Sequence, residues 1–178
     1  MGGDQAMTPD EQDLVLGLAI GSGEGPTRTL DEVLVHFGES DGAALALRLL
    51  RDAMERRDAA DVEMAVIVHS AADASVEEFL EPLIELFPAD WHRKHEDIVR
   101  MLGRLRSPKT VPTLVEATRW VPQYLDFDEC RALAVKAIWA LGGIPGAEAR
   151  EALEGLRDAE NEIIRENAVK QLTRRGEL

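Results

Sequence analysis

The sequence predicts an all-α fold built from stacked helical repeats, and three observations carry that prediction. The apolar residues, 45% of the 178, are mostly Ala, Leu, Val and Ile, with few aromatics (Trp 3, Tyr 1, Phe 4). Ala and Leu cost little in a helix, and β-branched or aromatic runs of the kind that build strands are hard to find. Apolar residues also recur at three- and four-residue spacing through most of the chain. Finally, Leu102-Gly103-Arg104-Leu105 returns 39 residues later as Leu141-Gly142-Gly143-Ile144.

Taken in order, residues 1–9 carry Gly2, Gly3 and Pro9 with no apolar pattern and read as a disordered start to a single helical domain over 10–178. A first helix is expected over 10–20. The run Gly21-Ser22-Gly23-Glu24-Gly25-Pro26 that ends it is the most flexible-looking internal stretch. Thr29 is placed to cap a second helix, with Asp31 and Glu32 in its first turn and Gly38 at its end. Asp41 opens a longer helix whose stripe is Ala46, Leu49, Leu50, Ala53 and Met54. The pattern resumes after Arg56-Arg57-Asp58 with Val62, Ala65, Val66 and His69, and again with Val76, Phe79, Leu80, Leu83 and Leu86. Pro82 should kink or split this last segment, and Phe87-Pro88 closes it.

The second half repeats. The 39-residue shift also carries Leu114 onto Leu153 and Ala117 onto Leu156. A 34-residue shift carries Arg131, Ala134, Val135 and Lys136 onto Arg165, Ala168, Val169 and Lys170. Unequal shifts imply an insertion, which falls at Trp120-Val121-Pro122-Gln123-Tyr124-Leu125. A helix–turn–helix unit of this size cannot bury its apolar face alone, so such units stack.

The stretch LGRLRSPKTVPTLVEAT resembles a HEAT repeat of the bilin-lyase-like type, in which a first helix ends in Leu-Gly-x-Ile/Leu and a second begins x-x-Val-Pro-x-Leu. Ser107 suits the N-cap, Pro108 the first helical position and Pro112 the second proline of that pattern. LGGIPGAEAREALEGL is similar to a second copy without its second proline, and RDAENEIIRENAVKQL resembles the stretch between repeats. The match covers about residues 90–178. The tetratricopeptide signature Trp-x-x-Leu-Gly-x-x-Tyr is missing. The resemblance implies a right-handed α-solenoid of HEAT-like units, about ten helices in all, whose second helices line a concave surface. Members of that family mostly bind proteins, so the fold alone does not fix a function.

Charge is unevenly spread. Residues 1–90 carry a net −15 and residues 91–178 a net +1, giving −14 for the chain. Residues 59–91 contain no Lys or Arg, while Asp61, Glu63, Asp73, Glu77, Glu78, Glu81, Glu85 and Asp90 accumulate there. Such a field repels nucleic acid and anionic lipid and speeds encounter with a basic partner; it also serves solubility. The early apolar run Leu14 to Ile20 is too short for a membrane span and lacks the basic start of a signal peptide. A single cysteine, Cys130, fits a reducing compartment, and a cytoplasmic location is expected.

Catalytic signatures are weak. His95-Glu96 resembles one dyad of the HEAT-type deoxyhypusine hydroxylases, which need several, and His36, His69 and His92 have no following Glu. His92 and His95 lie three apart on an expected helix, which would make half of a metal site. Acids beside Cys130 (Asp126, Asp128, Glu129) blunt a thiol, and Gly142-Gly143-Ile144-Pro145-Gly146 reads as a tight turn instead of a phosphate loop. The expectation is therefore no catalytic, metal or cofactor residue, and a partner protein bound through Trp120, Tyr124, Asp126, Asp128, Trp139, Glu77, Glu78, Glu81 and Glu85. Such a partner would be basic, with no nucleic acid or membrane involved, and a toxin-neutralising immunity protein is one concrete version. The alternatives are a lyase-like or ligand-handling protein using the concave groove, and a purely structural assembly module.

Overall fold

The computed structural model describes residues 6–19, 28–128 and 131–177. Among them lie ten α-helices, three single-turn 3-10 segments and no strand. None of these helices is long and apolar enough to cross a membrane. The chain gathers into two compact units: unit 1 comprises residues 1–82 and 91–94, and unit 2 comprises 83–90 and 95–178.

Unit 1 begins earlier than its sequence suggests. Thr8 and Glu11 form a reciprocal capping box on α1 (Pro9–Leu16), with Pro9 in the first turn. Residues 6–9 are thus ordered by this cap, contrary to the expected disorder; residues 1–5 lie outside the described residues. Helix α1 ends at Leu16, four residues short of the expected Ile20, because Leu18 and Ala19 close i→i−3 turns. The expected flexible stretch 21–26 also lies outside the described residues. Thr29 and Glu32 build a second capping box on α2 (Leu30–Phe37), which Gly38 ends in the left-handed region at φ +67°.

Helices α3 (Gly42–Arg56) and α4 (Ala59–Ala71) form an antiparallel hairpin capped by Asp41 and Asp58, with α1 packed on α4 and α2 on α3. Of the stripes read from the sequence, Ala46, Leu49, Leu50, Ala53, Val62, Ala65, Val66 and His69 are buried and Met54 is half-buried; Leu45 and Val68 are buried beside them. The segment with Pro82 is split as expected. A 3-10 turn (Glu77–Phe79) leads into α5 (Leu80–Leu86), and Pro82 stands in the first turn of α5, where no backbone N–H is needed.

In unit 2 the first helices of the repeat read from the sequence, α6 (His95–Leu105), α8 (Ala132–Gly143) and α10 (Glu162–Arg175), pack with α8 against both of the others; of the second helices, α7 (Val111–Arg119) packs on α8, α9 (Ala147–Leu156) packs on α8 and α10, and the two touch each other. Residues related by the 39-residue shift play equivalent parts. Leu102 and Leu141 are fully buried, as are Leu114 and Leu153. A Cβ on Gly103 would meet that of Ala140 at 2.7 Å, and one on Gly142 would run into Gln171, so each glycine lets the next first helix approach closely. Ser107 does hold the N-cap position, but its side chain makes no capping bond. Its carbonyl instead accepts from the Thr110 hydroxyl at 2.8 Å, tightening the 3-10 turn Pro108–Thr110 that precedes α7.

Candidate functional site

The insertion at residues 120–128 folds back on unit 2 through His95. This imidazole is fully buried at the start of α6, with Phe87 and Trp120 edge-on to it at 5.8 and 4.8 Å between ring centres. Its Nε2 lies 3.0 Å from the Ala89 carbonyl, which can only accept, so in the neutral ring Nε2 carries the proton and Nδ1 accepts from the Tyr124 hydroxyl at 2.9 Å. Trp120 and Tyr124, two of the three aromatics expected to bind a partner, are both half-buried and face this interior contact. Asp128 is likewise turned to the chain, accepting from the Ala132 amide at 2.6 Å where α8 begins. Asp126 is exposed, and so is Phe127 at 77%. Cys130 lies outside the described residues.

The histidine pairings read from the sequence do not assemble. Adjacent helical residues point apart, so while His95 is buried, Glu96 accepts from Lys136 of α8 at 2.8 Å. Helix α6 starts at His95, which leaves His92 before it and off any shared helical face; the Nδ1 of His92 accepts from the Lys94 amide. Among the described residues no group of three or more His, Cys, Asp or Glu is placed to hold a metal ion.

Trp139 stands differently. Helical spacing places it on the side of α8 opposite Ala134, Ala137 and Leu141, and it is 48% exposed. Its indole N–H donates to Asn167 at 3.0 Å, and the Arg174 guanidinium sits 5.0 Å from the ring centre. Asn167 is itself fixed by donating to the Ile163 carbonyl at 2.8 Å, and Arg174 by donating to Gln171. The ring is thereby held in one orientation at the seam of α8 and α10. The first helices of this unit are basic: α6, α8 and α10 carry seven Arg or Lys against four Asp or Glu, whereas α9 carries one Arg against three Glu.

In the acidic stretch, Glu77, Glu78, Glu81 and Glu85 are all exposed on the 3-10 turn and α5. Val76, just before them, is an apolar side chain left 37% exposed. Asp61 belongs elsewhere. Counted by sequence with the acidic surface, it is 1% exposed and accepts from the Met7 amide, Gln12 and Arg56, the last at 2.6 Å. A recess of about 210 Å³ opens beside this pair in unit 1, bounded by Phe37, Arg48 and Asp52 among others, and it is smaller than most small-molecule sites. Arg56 and Asp61 themselves line it, and Nε and Nη1 of Arg56 are buried with no hydrogen-bond partner among the described residues.

Sequence reasoning missed two features of these surfaces. Asn167 and Arg174 could have been found from their seven-residue spacing on α10, which puts them on one face, but nothing local says that this face meets Trp139. No protein-family model matches the chain, and no curated protein is similar enough to it to stand as a relative.

Proposed function

We propose that the chain is a non-catalytic protein-binding module, a HEAT-like right-handed α-solenoid in which residues 90–178 supply the clearest repeats. The observation that carries this reading is Trp139, a large aromatic half in solvent yet locked by Asn167 and Arg174. A fixed side chain loses little conformational freedom on binding, and Trp and Arg are over-represented among residues that dominate interfaces. The repeat-equivalent pairs Leu102/Leu141 and Gly103/Gly142 support the repeat assignment, because each pair does the same job in successive hairpins.

A basic partner suits the exposed carboxylates of Glu77, Glu78, Glu81 and Glu85, and masking of a basic toxin by an immunity protein is one form this could take. Exposed rim charges of this kind act mainly on the rate of encounter. The insertion contributes Asp126 and Phe127 to the surface, whereas Trp120, Tyr124 and Asp128 hold the insertion in place.

The test is a Trp139→Ala chain used as bait in the native lysate beside the wild type. Its melting temperature should fall little, because about half of the indole already faces solvent, while retention of a specific protein should fall by a factor of about 30, equivalent to about 2 kcal/mol. Equal retention of the same partner by both chains would remove Trp139 as the anchor and with it the main support for the reading.

A further inference from the structure

The module carries two unlike surfaces, and they fit each other. We propose that the acidic segment at residues 73–81 of one copy docks on the Trp139 face of a second copy, so that the basic partner inferred above is this chain itself; the inference rests on the protein-binding reading.

Charge segregation is the first argument. Residues 59–91 hold no Lys or Arg, and within them Asp73, Glu77, Glu78 and Glu81 are exposed. The three first helices of unit 2 have the opposite excess, although the whole chain is at −14. A surplus of cations on a strongly acidic protein needs a local reason, and an acidic counterpart supplies one.

Apolar matching is the second argument. Val76 is exposed directly beside Glu77 and Glu78, and Trp139 is exposed directly beside Arg174. A contact seating Val76 on the indole would bring the flanking carboxylates to the guanidinium of Arg174 and the ammonium groups of Lys136 and Lys170, both of which are at least partly exposed. Each of these lysines holds a single carboxylate of its own, Glu96 and Glu166, at 2.8 and 3.5 Å, and keeps donors for another. Because the two patches differ, each contact pairs unlike surfaces of the two copies. Mutual repulsion of two chains at −14 acts at long range and is screened beyond about 8 Å at physiological ionic strength, whereas the docked pairs lie inside that distance.

Sedimentation equilibrium of the full chain over a rising concentration series at physiological ionic strength tests this. The wild type should show reversible association. Trp139→Ala and the triple change Glu77→Lys, Glu78→Lys, Glu81→Lys should each weaken it by about tenfold or more, with unchanged melting curves. Each of these variants keeps the half-interface that the other has lost, so an equimolar mixture should regain a heavier species absent from either alone. Should Trp139→Ala unfold, Lys136→Glu with Lys170→Glu replaces it, since both side chains are about half exposed. A wild type that stays monomeric throughout, or a mixture that gains nothing, overturns the proposal. A monomeric wild type that loses a foreign partner on Trp139→Ala would overturn the second-copy inference while leaving the protein-binding reading in place.

Discussion

Units 1 and 2 both bury Leu, Val and Ala, yet different means hold their helices in register. In unit 2 the register is repetitive: Gly103 and Gly142 each open a gap that the next first helix fills, and Leu102 and Leu141 are equally buried in successive first helices. Among its described residues unit 1 has no such internal echo, although Gly42 lies as close to Ala72. Its short leading helices are fixed by polar devices, namely the Thr8–Glu11 and Thr29–Glu32 boxes and the carboxylate of Asp61, which gathers Met7, Gln12 and Arg56. The contrast teaches that a helical array can be specified by close backbone approach where helices repeat, and by capping boxes and a buried carboxylate where they do not.

The largest effect expected from this contrast is at Asp61. Replacing it with Ala removes the partner of Arg56 in a largely buried setting and should cost about 3–5 kcal/mol, read as a lowered denaturant midpoint for hydrogen exchange in α3 and α4. Changing both residues together, Arg56→Met with Asp61→Leu, should recover most of that loss, since an apolar pair leaves no stranded charge. If Asp61→Ala moves stability by less than about 0.5 kcal/mol, the polar account of unit 1 is wrong.

Next in size are the glycines of unit 2. Gly103→Leu and Gly142→Leu should each cost about 1–3 kcal/mol by forcing α8 away from α6 or α10 away from α8. Gly143 makes the control: a Cβ there meets nothing, so Gly143→Ala should be neutral or gain up to about 1 kcal/mol from helix propensity. Similar losses at all three positions, measured by thermal unfolding, would show that close approach is not what the repeated glycine provides.

The smallest effect is on pH dependence. The carboxyl of Glu11 is held below its ordinary 4.5 chiefly by accepting from the Thr8 amide, and that of Glu32 likewise by the Thr29 amide. A carboxylate lowered in the folded state contributes stability that is complete above its unfolded value and is lost as pH falls through the folded value. Below pH 4.5, protection of the amides at the starts of α1 and α2, measured against the intrinsic exchange rate at each pH, should therefore fall. Glu11→Gln with Glu32→Gln should flatten that fall. Glu177 in unit 2 is lowered in the same direction by its bond from Arg175, so acid should also loosen the end of α10. Identical acid sensitivity of α1 and α2 in the double variant would show that the capping boxes are not its source.

The sequence alone made the helices legible, because what defines them is local. Thr29, Asp41 and Gly38 act at the ends where they were expected, and Pro82 splits its segment by removing an N–H at a known place. Helical spacing likewise puts Trp139 opposite the apolar stripe of α8, but it left open whether that side meets solvent or the next repeat. Trp120, Tyr124 and Asp128 could not be sorted in this way. Whether an aromatic in an insertion meets solvent or a buried imidazole depends on where residues some thirty positions away come to lie, here His95 and Phe87.

Composition, periodicity and caps thus determined that the chain is helical, where most helices begin, and that its two halves differ in charge. Tertiary structure alone decided that Asp61 leaves the acidic surface for the interior, that Asn167 and Arg174 lock Trp139, and that His95 clasps the insertion. The physical reason is range. Helix formation is settled by hydrogen bonds within four residues, whereas the fate of a polar or aromatic side chain is settled by desolvation and by partners that only packing delivers.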